Sequence, residues 1–300
     1  MKTVTLQITT HNRLKELIET LNLLKEVIND ERVHTIICDD GSNDGTFEYI
    51  NTHFPKFELF RNEKSIGLIG SRNKIMDLTK TEFAVSVDDD LNFLSISPID
   101  SILNYFEKHP QCGVISFGIH WGLNIPTTIE NKEASFRARN FAGGAHAFRM
   151  KAWYSIPNYP YWFKFYGEEE FASIHLFKHH WEINYVPSIL THHRVELKRR
   201  KLNNDYIFRQ MRSFRAGIFI LLMFYPFSKL PRLVGFAIYN QIKNKLFKGD
   251  WRATLGVVLG IFSIVINLNK VYKNSDRLSI QEYELYTQLK SATIYWYPSK

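Results

Sequence analysis

The chain has 300 residues, 45% of them hydrophobic and 23% charged, which excludes disorder as the main state and allows a sizeable core in one large or two small domains. Two cysteines, Cys38 and Cys112, exclude a disulfide-rich scaffold and a cysteine-only zinc site. The net charge of +8 is uneven: residues 1–193 carry −5 and residues 194–300 carry +13, so two parts with different partners are expected.

Met1-Lys2-Thr3-Val4-Thr5-Leu6 lacks the apolar run of a secretory leader, so a reducing, cytoplasmic setting is expected. Val4–Thr9 reads as a strand, and Leu14, Leu17, Ile18, Leu21 and Leu24 recur at helical spacing. Thr35–Cys38 is a second strand, closed by Asp39-Asp40-Gly41-Ser42, and a helix begins near Asp44. A third strand at Phe57–Phe60, a helix over Gly67–Leu78 and a fourth strand at Phe83–Val87 follow, the last ending in Asp88-Asp89-Asp90. Such alternation predicts an α/β fold with a mostly parallel sheet flanked by helices. Ile99–Phe106 and Phe171–Lys178 read as helices, while Gly113–Phe117, Gly143–Phe148 and Ile183–Val186 read as strands; residues 120–135 read as loop.

After Arg194 the texture changes to a basic and apolar helical region. Arg194 to Arg215 holds eight basic and two acidic residues, among them Lys198-Arg199-Arg200-Lys201. Val234, Ile238, Ile242 and Leu246 stack at four-residue steps, and Ala253 to Asn269 is seventeen residues without a charge. That is short of the ~20 residues of a membrane span, so in-plane contact with an anionic membrane surface is expected, with core burial or a homodimer contact as alternatives. A nucleic-acid module would interleave basic and stacking aromatic residues. Here Phe214, Phe219 and Phe224 sit inside apolar runs instead, so no nucleic-acid partner is expected.

The chemistry-bearing residues follow the strands: Thr9-Thr10-His11-Asn12, then Asp39-Asp40, then Asp88-Asp89-Asp90. In an open parallel sheet, ligands bind outside the carboxyl ends of the strands. Converging carboxylates repel unless a cation or donors offset them, and Mg²⁺ or Mn²⁺ bridging to a diphosphate is the natural offset. Asp90 is expected to be a surface carboxylate. A nucleotidyltransferase would share this logic but would need a Gly-rich loop after the first strand, which Thr9-Thr10-His11-Asn12 lacks.

In their order, Thr9 to Arg13, Asp39 to Thr46, Asn62 with Gly67 and Ser71-Arg72-Asn73, Asp88 to Asp90, Gly143 to Arg149, and Gly167-Glu168-Glu169 resemble glycosyltransferase family 2 over residues 3–193. These are inverting enzymes with the GT-A nucleotide-sugar fold. The resemblance implies a catalytic domain over 1–193; the basic and apolar composition of 194–300 adds a helical, membrane-associating region. The resemblance also implies a nucleotide-sugar donor, most commonly a UDP-sugar, and a glycan or lipid-linked saccharide acceptor in surface polysaccharide or glycoconjugate synthesis on the inner face of the cell membrane. Asp40 would meet the donor base beside Thr9, Arg72 would lie near the diphosphate, and Asn12, Asp39, Asp88 and Asp89 would complete the donor-binding set. Asp90 and Asp88 would hold the metal, joined by His193 or its neighbour His192. Counting back from Ser173-Ile174-His175-Leu176 puts Glu169 at the catalytic base. A glutamate stands there in place of the family's aspartate, so Glu168 and Glu170 stay open as alternatives. A catalytically inactive nucleotide-sugar-binding protein is the remaining alternative.

Overall fold

The computed structural model describes residues 3–297 apart from 128, 130, 132 and 196–201, so the basic cluster Lys198-Arg199-Arg200-Lys201 lies outside the described residues. The first half of its nine-stranded sheet is parallel. β1 (Val4–Thr10), β2 (Val33–Asp39), β3 (Glu58–Arg61) and β4 (Phe83–Asp88) lie in the order β3-β2-β1-β4. β1 is covered on both faces, which is why its sequence is nearly continuous in apolar and β-branched residues. Parallel neighbours require crossovers. These are α1 (Leu14–Leu23) with α2 (Lys25–Ile28), α3 (Thr46–His53) and α4 (Leu68–Leu78). The three acidic or polar turns therefore emerge on one edge.

Beyond β4 the sheet is mixed. β5 (Leu91–Phe93) leads to α5 (Pro98–Lys108), whose Ile99, Ile102 and Phe106 are buried at helical spacing. β6 (Cys112–Trp121), β7 (Phe136–Ala138) and β8 (Ala145–Arg149) follow, then α6 (Met150–Trp153), α7 (Glu168–Lys178) and β9 (Glu182–His193). β8 runs antiparallel to β4 and β6; β9 runs parallel to β6 and carries β5 and β7 antiparallel to itself. The strand expected at Ile183–Val186 is thus much longer. Pro187 disguises it: Val186 pairs with Phe117 and Leu190 with Gly118, so Pro187 to Ile189 bulge out of the ladder, a place where proline is tolerated. The continuation carries His193 to the acidic edge.

The C-terminal helices are α8 (Tyr206–Phe224), α9 (Leu230–Gln241), which runs into a π turn at Ile242–Leu246, α10 (Trp251–Ile266), α11 (Leu268–Lys273) and α12 (Ile280–Gln288). α8 and α12 bring Phe219, Met223, Phe224 and Tyr286 into one core with Phe163, Phe171 and Ile174. α10 lies against α8 so closely that a Cβ on Gly256 would come 2.6 Å from the Ile207 carbonyl oxygen. The chain then returns to the sheet, where Trp296 N donates to Ile119 O at 2.9 Å. Among the described residues, no helix is long and apolar enough to cross a membrane.

Candidate active site

The turn between β4 and β5 sets the centre of the site. Leu91 pairs with His193 across β5 and β9, and Arg194 N donates to Asp90 O at 3.0 Å. This register puts His193 Nε2 2.9 Å from Asp90 Oδ1. Asp88, Asp90 and His193 present ligand atoms within 4.8 Å of one another. Two carboxylates and an imidazole nitrogen, with Asp90 and His193 buried, are a donor set that suits a divalent cation, so the trio fits a divalent metal. His192 turns the other way, its Nε2 2.7 Å from Gly122 O.

Asp90 is 2% exposed, which corrects the expectation of a surface carboxylate. The β5–β9 pairing and Arg13 cover it, Arg13 Nη2 donating to Asp90 Oδ2 at 2.7 Å. Burial opposes ionisation of Asp90, yet His193 and Arg13 hold its carboxyl well below the ordinary range. Asp89 differs. Burial, with the charge of Asp90, pushes it up to about 7 against the pull of Arg13 and of Thr10, whose Oγ1 donates to Asp89 Oδ2 at 2.9 Å.

The loops after β1 and β2 are tied together. Asn12 takes a left-handed φ of 54°; its N donates to Ser42 Oγ at 2.8 Å and its Oδ1 accepts from Asn43 N at 2.8 Å. Asp39 Oδ1 accepts from Ser42 N at 2.9 Å. Both residues hold loop shape, and neither is among the side chains lining the cleft. The Asp40 carboxylate faces the loop before α4. It accepts from Asn62 Nδ2 and Ser65 Oγ at 2.7 Å each and from Ile66 N and Gly67 N at 2.9 Å each. Burial alone would raise it; these donors lower it overall.

On the other side of Asp88, Arg72 is a buried bridge, donating to Asp88 Oδ1 at 2.9 Å and to Glu168 Oε1 at 2.8 Å. Gly167, at φ +88°, opens α7 so that Glu168, Glu169 and Glu170 fall in its first turn, where the helix dipole favours acids. All three line the cleft but have different partners. Glu168 is committed to Arg72, and burial together with the Glu169 charge raises it. Glu170 is raised by burial and is held by Tyr286 Oη, which donates to its Oε1 at 3.0 Å. Glu169 is half-buried and faces Gly143. A Cβ on Gly143 would land on the Glu169 carboxylate and 2.8 Å from Arg72 Nη1, and one on Gly144 would land on Asp88.

These residues line a cleft of two joined cavities. One, of about 360 Å³, is lined by Thr9, Asp40, Ser65, Asp89, Asp90 and Arg212, among others. The other, of about 330 Å³, is lined by Arg72, Trp121, Gly143, Glu169 and Tyr295, among others. Asp88, His193, Leu68, Phe165 and Arg209 line both. The arrangement offers an anion-and-cation half, a carboxylate-and-aromatic half, and a metal trio between them.

The sequence profile of the family described as "Glycosyl transferase family 2" matches residues 5–164. The chain belongs to glycosyltransferase family 2. None of the curated proteins matches it in sequence. Among solved structures, GalNAc-T7 with UDP, GalNAc and Mn²⁺ superposes with a TM-score of 0.61 at 16% identity over 76% of this chain and 49% of that one, so this chain spans about half of GalNAc-T7. The mannosyltransferase PcManGT of Pyrobaculum calidifontis, with GDP-Man and Mn²⁺, gives 0.54 at 14% identity over 95% and 78%. Residues 1–349 of TarS from S. aureus, with UDP, give 0.54 at 17% identity over 82% and 75%. The shared fold is GT-A.

Several residues of this family 2 site escaped sequence reasoning. Arg209 and Arg212 project from α8 into the cleft; in the sequence they belong to a basic run assigned to a membrane surface. Their spacing of three on a helix, which puts both on one face, was the available signal. Tyr295 carried none. Its ring lies 4.8 Å from Trp121, whose own ring lies 4.2 Å from His193, so the chain's last described segment walls the cleft.

Proposed function

We propose that the chain is an inverting glycosyltransferase that moves a sugar from a nucleotide-diphosphate sugar, a UDP-sugar first, to a hydroxyl of a glycan or lipid-linked saccharide in surface polysaccharide or glycoconjugate synthesis. The carrying observation is Glu169, one of three glutamates lining the cleft beside the Asp88, Asp90 and His193 trio, whose two neighbours are held by Arg72 and Tyr286. The GalNAc-T7 and TarS structures carry UDP, and PcManGT carries GDP-Man, so UDP leads and GDP is the competitor.

The donor half is the cavity lined by Thr9 and Asp40, where Arg209 and Arg212 face the negative diphosphate. Asp88, Asp90 and His193 would hold Mn²⁺ or Mg²⁺, which supplies positive charge to the departing diphosphate. The acceptor half lies by Trp121, Tyr295 and Phe165, whose rings suit the apolar face of a sugar. Glu169 takes the proton of the acceptor hydroxyl as that oxygen attacks the anomeric carbon and the bond from that carbon to the diphosphate breaks. One displacement inverts the centre. Arg72 positions the two sides, bridging Asp88 and Glu168.

A thermal-shift screen of UDP-, GDP- and dTDP-sugars with and without Mn²⁺ tests this reading. The true donor at 100 times its Kd adds about 2.7 kcal/mol, and this gain is expected only with the metal. Stabilisation by no nucleotide sugar would overturn the proposal, and stabilisation without sugar transfer to any acceptor would assign an inactive donor-binding protein.

The glycine pair gives a second check. Gly143→Ala is expected to push Glu169 aside and cut transfer at least about tenfold, since small misplacements of reacting groups cost that much or more. Donor-induced stabilisation should persist. Wild-type transfer by Gly143→Ala would remove Glu169 from the reaction.

A further inference from the structure

Half of the large apolar side chains exposed among the described residues fall between Phe236 and Tyr272. They share a face. α10 turns Ala253, Gly256 and Gly260 inward and leaves Leu255, Val258, Phe262, Val265 and Ile266 outward, Phe262 exposed by 64% and Ile266 by 80%. α9, which leads into α10 through the π turn, buries no residue, and Phe236 and Tyr239 stand out from it. An apolar surface of this size marks an interaction site.

The surrounding charge identifies the partner. From Leu230 to Ser275 the chain has seven Lys and Arg residues and one carboxylate, Asp250. Asp250 is engaged within the chain, capping α10 at Ala253 N and accepting from Tyr206 Oη at 2.7 Å. Lys243, Lys245 and Lys248 flank the start of α10 beside exposed Leu246, Phe247 and Trp251, and Lys270 and Lys273 follow its end. A two-fold contact would set this patch against its own copy, like charges together. A lipid surface instead takes apolar side chains between lysines whose heads stay in water, with Trp and Tyr at the interface.

We propose that the outward face of α10, with the exposed side chains of α9 and the π turn before it, docks in the plane of an anionic lipid bilayer. α10, at 16 residues, is about 24 Å long, less than the ~30 Å hydrocarbon core it would have to cross. Docking also puts the cleft near the lipid. The Cβ position of Gly256 falls 2.8 Å from Gln210 Cβ of α8, and Arg209 in that same turn lines the cleft. The proposal does not depend on which sugar or acceptor the cleft uses.

Vesicle flotation of the full chain tests it, using vesicles containing phosphatidylglycerol and vesicles of phosphatidylcholine alone. The chain is expected to float with the anionic vesicles at low salt and to be released as salt approaches about 0.5 M. Replacing Lys243, Lys245 and Lys248 with Ser should weaken binding roughly fivefold per lysine. Phe262→Asp with Val265→Asp should weaken it at least about tenfold, with an unchanged melting curve because both side chains are exposed. No flotation with either vesicle, or equal flotation with both, overturns the proposal. So does a dimer in sedimentation that the Phe262→Asp, Val265→Asp variant dissociates, which would assign the face to a second copy.

Discussion

Asp90→Asn is expected to lower sugar transfer roughly 10²–10³-fold, the cost of losing one preorganised charge stabiliser in an active site, and to abolish any effect of Mn²⁺ on donor binding. Asn keeps the volume of Asp90 and one oxygen but removes the charge. That matters because Asp90 is buried between Arg13 and His193, so truncation to Ala would mix a packing defect with a binding defect. The neutral variant leaves Arg13 with Asp89, at 3.0 Å, which limits the loss of stability. Calorimetric titration of Mn²⁺ with a melting curve separates the two effects. A folded Asp90→Asn chain that binds Mn²⁺ and transfers sugar like wild type would remove the metal trio from the proposal.

Glu169→Gln is expected to slow transfer roughly 10²–10⁴-fold, the usual worth of a general base, with donor affinity nearly unchanged. Its neighbours should respond differently. Glu168→Gln breaks the buried pair with Arg72, so it is expected to cost roughly 3–5 kcal/mol of stability and to show first in the melting temperature. Glu170→Gln can keep its contact with Tyr286 Oη and should be nearly silent in rate. Single-turnover rates and melting curves of the three variants distinguish a base from a structural acid. A fully active Glu169→Gln beside a folded, inactive Glu168→Gln or Glu170→Gln would move the base to that neighbour.

Much of this was legible without coordinates because it is local. β1 to β4 and their crossovers show in short apolar runs and helical spacing, and Asp88-Asp89-Asp90, Gly143-Gly144 and Glu168-Glu169-Glu170 are contiguous. Hydrophobic period reports which face of an element is buried, and turn chemistry reports where it ends. Those signals determined the α/β class, the acidic edge, and the family resemblance that named the candidate residues.

Tertiary structure decided which members of each cluster meet which partners. His193 rather than His192 meets Asp90 because Leu91 pairs with His193 in β9, 102 positions on, past a bulge at Pro187 that hides the strand. In a strand a shift of one residue exchanges the two faces, so adjacent histidines could be separated only by register. Glu169 is singled out because Arg72 and Tyr286 take its neighbours, and those partners lie 96 and 116 positions away. Arg209, Arg212 and Tyr295 enter the cleft because α8 packs through Phe219 into the shared core and the chain returns to pair with β6. Such contacts are set by the packing of surfaces remote in sequence; local spacing puts Arg209 and Arg212 on one helix face but does not say what that face meets.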